Sequence, residues 1–101
     1  MTSKYIHRYR NRIDIIAELL DAASTPVSKT KMMYRAMLSY EQLKEYLVIL
    51  AENDLIAYDN ASRKFTTTDK GYQFVRRYHE LSELIEPIAI IAAERREEDS
   101  L

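Results

Sequence analysis

Residues 39–67 read SYEQLKEYLVILAENDLIAYDNASRKFTT, a segment whose hydrophobic period changes halfway along. In its first part Leu43, Tyr46, Leu47 and Leu50 recur at three- and four-residue spacing, the stripe that one helix face presents to a core. Ser39 stands three residues before Gln42, the spacing at which two side chains satisfy each other's backbone amides at a helix start, and the stripe ends near Asn53-Asp54. Leu55-Ile56-Ala57-Tyr58 then predicts a strand, Asp59-Asn60-Ala61-Ser62 a polar turn, and Lys64-Phe65-Thr66-Thr67 the returning strand of a hairpin.

Upstream, Ser28 predicts the cap of a short helix over about 29–36 that holds Met32, Met33 and Ala36, and the methionines, Met37 included, read as core fillers. Ser24-Thr25-Pro26 ends a longer helix before it, because proline lacks an amide donor and pushes the preceding residue away from helical geometry. That helix is expected over about 5–23, with Ile6, Tyr9, Ile13, Ile16, Ala17 and Leu20 on one stripe and Ile15 and Leu19 on a second, so it is covered from two sides. Downstream, Thr68 or Asp69 caps a last helix in which Phe74, Tyr78, Leu81, Ile85, Ile88 and Ala92 alternate four-three spacing, a coiled-coil seam and an expected dimer interface. Pro87 predicts a kink or break near Glu86. The alternative to a dimer is that residues 88–93 fold back onto Ile15 and Leu19 of the same chain.

Three helices, a hairpin and a further helix, with a tight turn between the second and third, make the plan of a winged helix-turn-helix. The expected fold class is therefore mainly α with a small β-hairpin, a winged helix-turn-helix plus a C-terminal coiled-coil-like dimerisation helix. The expected organisation is a DNA-binding domain over residues 1–70, a dimerisation helix over 71–93 and a flexible acidic tail over 94–101.

Composition bounds the alternatives. A chain of 101 residues holds one core, and 47% hydrophobic against 31% charged residues is ordinary globular usage. One glycine and two prolines are too few for a many-stranded sandwich or a glycine-rich phosphate loop. The lack of cysteine removes disulfides, thiolate nucleophiles and cysteine-bound metal. The longest apolar stretches, Tyr46 to Ala51 and Ile88 to Ala93, fall far short of the roughly 20 residues that cross a bilayer. Residues 1–12 are basic without an apolar signal core, so a cytoplasmic location is expected. The net charge of −1 hides an asymmetry, since residues 1–77 carry 13 Lys/Arg against 9 Asp/Glu and residues 78–101 carry 2 against 7.

Four segments carry a resemblance to a known family: Arg12-Ile13-Asp14-Ile15-Ile16-Ala17, Lys29-Thr30-Lys31-Met32-Met33-Tyr34-Arg35-Ala36, Leu38-Ser39-Tyr40-Glu41-Gln42-Leu43-Lys44-Glu45-Tyr46-Leu47 and Thr67-Thr68-Asp69-Lys70-Gly71. Over about residues 12–85 the chain resembles archaeal winged-helix proteins of the small Sulfolobus chromatin-associated type and the related predicted transcriptional regulators. The resemblance implies a binder of double-stranded DNA that dimerises through its C-terminal helix.

A helix is narrow enough to enter the major groove while flanking cations neutralise phosphates. Ser39, Tyr40, Gln42 and Lys44 would lead the third helix there, Gln42 pairing with adenine unless it is engaged in the cap, and Lys44 meeting guanine or phosphate. Lys29, Lys31, Tyr34 and Arg35 can hold backbone phosphates, Arg63 and Lys64 can reach an adjacent groove from the hairpin tip, and Lys4, Arg8, Arg10 and Arg12 can extend the positive surface. Against this, the 100° rule places Glu41, Glu45, Val48 and Glu52 opposite the buried side of the third helix, a partly acidic face that would repel phosphate or dock a protein. Tyr9, Tyr46 and Tyr78 fall on apolar stripes and read as core or interface. His7 and His79 have no metal-ligand spacing, and no nucleophile, base or cofactor motif is recognisable, so the expectation is a non-enzyme with no cofactor, no metal and no small-molecule ligand. A sequence-specific homodimeric regulator, a sequence-tolerant chromatin architectural protein and a winged-helix protein-interaction module remain open.

Overall fold

The computed structural model describes residues 10–85 and arranges them as α1 (Arg12–Ala22), α2 (Lys29–Arg35), α3 (Tyr40–Glu52), β1 (Ile56–Asp59), β2 (Lys64–Thr67) and α4 (Asp69–Glu83). Each helix opens on a side-chain cap, from Asn11, Ser28, Ser39 and Thr68 in turn. At α3 the reciprocal pair forms as its spacing requires, Gln42 N–H donating to Ser39 Oγ at 3.1 Å and Ser39 N–H to Gln42 Oε1 at 2.9 Å.

Within the region expected to be one helix, Asn11 acts as a helix cap. Asn11 sits in extended geometry and exchanges hydrogen bonds with Asp14, 2.9 Å each way, so α1 begins at Arg12, and the expected residues 5–9 lie outside the described residues. An Asn-x-x-Asp box works as Ser-x-x-Glu does, since both place an acceptor over a free amide. Ile13, assigned to the apolar stripe, is exposed. Ile6 and Tyr9 at one end, and Pro87, Ile88, Ala92 and the acidic tail at the other, lie outside the described residues.

Leu19, Leu20, Met32, Leu43 and Leu50 are fully buried and form the centre of the core, each contributing about 1.5–3 kcal/mol of burial. Ile15 and Leu19 are packed as expected of a helix covered on two sides. The hairpin pairs antiparallel from Ile56↔Thr67 to Asp59↔Lys64, one residue later at its start than expected. Val27 adds a rung beyond it, with Val27 N–H to Phe65 O at 3.0 Å and Phe65 N–H to Val27 O at 2.8 Å. Thr67 fastens the sheet to α1, its hydroxyl donating to Leu20 O at 2.6 Å and its N–H to Ala23 O at 2.9 Å.

The first half of α4 packs on this body. Gly71 is buried where an added Cβ would sit 2.3 Å from Leu55 O and 2.5 Å from Thr67 Cγ2. Phe74 and Val75 pack on the core, and the Tyr78 hydroxyl donates to the Asp14 carboxylate of α1. Burial first, and the Asp14 carboxylate second, push the Tyr78 hydroxyl up to about 12. Phe74 and Tyr78, expected along a partner seam, thus make these contacts within their own chain. Beyond them Leu81 is 61% exposed and Ile85 47% exposed, and helix geometry ends at Glu83, a turn earlier than Pro87 indicated.

Candidate nucleic-acid interface

The turn between α2 and α3 is tight because Met37 adopts φ 55, the left-handed region that glycine or asparagine enters most readily. Its backbone N–H reaches Tyr34 O at 3.2 Å and Leu38 N–H reaches Met33 O at 3.0 Å, closing α2 just before α3 starts. The conformation turns Met37 out, 57% exposed, which corrects its assignment to the core, whereas Met32 is fully buried and Met33 partly so. Tyr34 on the last turn of α2 is 72% exposed.

This turn brings the first residue of α2 beside the first turn of α3. The Lys29 ammonium lies 5.7 Å from the centroid of the Tyr40 ring and the Lys44 ammonium 5.4 Å from the same centroid. Lys44 also meets Glu41 at 4.0 Å, a fully solvated pair of little consequence. Two of the expected contact residues thus converge on the ring of a third. Lys31, two residues further along α2, is exposed. Arg35 turns back toward α1, its guanidinium 3.5 Å from Ala22 O, and Arg10 pairs with Glu18 at 3.0 Å with its side chain only 10% exposed, so Arg10 does not extend the positive surface. Arg12 lies over the Tyr46 ring at 5.9 Å. Ser39 and Gln42 are engaged in the cap, which takes away the amide oxygen that a two-bond contact with adenine needs.

The wing is held by its own chemistry. Asp59 accepts from Ser62 N–H at 2.9 Å, and hydrogen bonds from the Ser62 side chain and then its backbone hold the Asp59 carboxyl below the usual carboxylate range. Arg63 N–H returns to Asp59 O at 2.7 Å, and Arg63 takes φ 60. Arg63 and Lys64 are exposed at the turn. Tyr58, which sequence reasoning missed, stands beside them half-exposed with its ring 4.7 Å from that of Phe65. Strand alternation offered no signal for it, because residues two apart share a face and Ile56 is buried.

The outward face of α3 past its first turn carries Glu45, Val48 and Glu52, all exposed. A shallow depression of about 410 Å³ lies on α4, lined by Gln73, Arg76, Arg77 and Glu80 of a single helix face. Among the described residues no cluster of three or more His, Asp or Glu could hold a metal ion, and no helix is long and apolar enough to cross a membrane.

Helices, tight turn, wing and capped α3 define a winged helix-turn-helix protein, and residues 9–86 match the winged helix-turn-helix family, to which the chain belongs. It is 33% identical over 79 residues to the uncharacterized protein MJ0290 of Methanocaldococcus jannaschii, an alignment covering 77% of this chain and 36% of that protein. The chain thus spans about a third of the length of the relative it matches. It is also similar in fold to Sso10a-2, a DNA-binding protein from Sulfolobus solfataricus, with a TM-score of 0.66 and 19% identity over 91% of this chain and 97% of the other.

Proposed function

We propose that this chain binds double-stranded DNA as a cytoplasmic, non-enzymatic transcriptional regulator, acting as a homodimer without a small-molecule ligand. The α3 helix enters the major groove by its first turn and the wing meets an adjacent groove. The observation that supports this reading most is the convergence of Lys29 and Lys44 on Tyr40 at the start of α3, with Lys31 exposed on the same short helix as Lys29. Cations so placed on a winged helix neutralise phosphates and release counterions. Exposed Leu81 on the last turn of α4 and exposed Ile85 just past its end support the dimer, because apolar side chains so placed match a partner chain better than water.

The outward Glu45, Val48 and Glu52 favour a second reading, a protein-interaction module, since carboxylates there oppose phosphate. Binding to random and selected duplexes at two salt concentrations separates the possibilities. A regulator prefers its selected duplex over random DNA by about 10³-fold or more. A ratio near one with a steep salt dependence marks an architectural protein, and no binding at low salt marks the interaction module.

A further inference from the structure

We propose that Lys29, Tyr40 and Lys44 form a single seat for one stretch of phosphodiester backbone, so that Lys44 anchors DNA and does not read a base. This deepens the DNA-binding reading above and rests on it. Both ammonium groups lie within cation–π range of one aromatic ring, 5.7 and 5.4 Å from its centroid, although they come from different helices. The ring thus gives two like charges from different helices one common partner.

Among the described residues Lys29 has no carboxylate within ion-pair distance, and Lys44 has only the solvated contact with Glu41 at 4.0 Å. The cluster therefore keeps positive charge available for an anion. Its groups are two ammoniums and a half-exposed phenol, all able to donate, which suits the acceptor oxygens of a phosphodiester. A guanine edge fits less well, because Lys44 would have to leave the ring to reach it, whereas a phosphate joins the cluster as it stands. Beyond Lys44 the helix presents Glu45, Val48 and Glu52, so the backbone can approach only this first turn. Tyr40 is the positioning residue: it contributes a hydroxyl and, above all, fixes where the two charges sit.

The test uses the full chain and a panel of unrelated duplexes of equal length, with affinity measured by fluorescence anisotropy at several salt concentrations. Lys29→Ala and Lys44→Ala each weaken binding to every duplex by the same factor and each lower the logarithmic salt slope by about 0.9. Because the seat is shared, the double variant loses less than the product of the two single losses. Tyr40→Phe binds nearly as wild type, and Tyr40→Leu weakens binding several-fold on all duplexes although every charge is kept. The side chains are at the surface, and unchanged circular dichroism confirms folding of each variant. A changed rank order of duplexes in Lys44→Ala makes Lys44 a base reader and overturns the proposal while leaving DNA binding intact. Strictly multiplicative losses overturn it as well, since they mean two separate contacts. Wild-type protein that binds no duplex at low salt overturns the DNA-binding reading itself.

Discussion

Gly71 is the one glycine of the chain, and it stands where a side chain has nowhere to go. The oxygen nearest its missing Cβ, that of Leu55, also accepts the Thr68 N–H at 3.1 Å, so moving the carbonyl aside breaks the junction that starts α4. Gly71→Ala is therefore expected to destabilise the fold by about 1–3 kcal/mol, which thermal unfolding registers as a fall of several degrees or more in Tm. An unchanged Tm would mean that α4 shifts freely on the hairpin. Arg63 poses the opposite case. It occupies the left-handed region at φ 60, where an L-residue costs about 1–2 kcal/mol relative to its preferred geometry. Glycine removes that strain but loses more entropy on folding. Arg63→Gly is thus expected to keep or slightly raise Tm while weakening DNA binding and lowering the salt slope by about 0.9. A clear drop in Tm would show the Arg63 side chain to be structural.

At the scale of elements, α4 is clamped to α1 by Tyr78 and Asp14, and the clamp has a pH signature. The Tyr78 phenol ionises near 10 when unfolded and near about 12 when folded, so its neutral form is favoured in the native state. Its contribution is complete below pH 10 and is lost as pH climbs toward 12. Urea unfolding from pH 8 to 12 should show Tyr78→Phe less stable than wild type at the lower end, with the gap closing at the upper end. A gap that stays constant with pH would remove Tyr78 from the clamp. The elements themselves were legible in the sequence because their signals are local: the Ser39 and Gln42 box, the Ser28 and Thr68 caps, and a period that shifts from helix to strand at Leu55. What escaped was set by tertiary geometry or by unusual backbone. Neither Met37 nor Arg63 has the residue type that marks a left-handed turn, so the outward Met37 carried no signal. Phe74 and Tyr78 share a helical period with Leu81 and Ile85, and spacing alone does not say where the domain's own core stops and an outer face begins. At the interface, charge pattern named Lys29, Tyr40 and Lys44, but only the fold brings the three together, and only the cap geometry shows Gln42 engaged.

The whole molecule turns on what covers the end of α4. Leu81, Leu84 and Ile85 are exposed there, Leu84 at 81%, immediately after the residues that Asp14 and the core hold down. Three large apolar side chains at one helix end form a patch that a second copy can bury by symmetry, residue against equivalent residue. At about 1.5–3 kcal/mol for each fully buried side chain, two copies covering each other's patch would offset an association cost of several kcal/mol. A dimer joined at α4 carries two α3 helices, and two such heads bind a palindromic duplex more tightly than one by raising the effective concentration of the second. Leu81→Glu with Ile85→Glu is the decisive variant, because both side chains lie outside the domain's own core and their replacement leaves Tm of the isolated fold nearly untouched. The expected outcome is a folded monomer by sedimentation equilibrium, with DNA affinity reduced by about 10²-fold or more on palindromic sites. Wild-type protein that sediments as a monomer at micromolar concentration would sink the dimer, and a variant that stays dimeric would place the interface elsewhere on the chain.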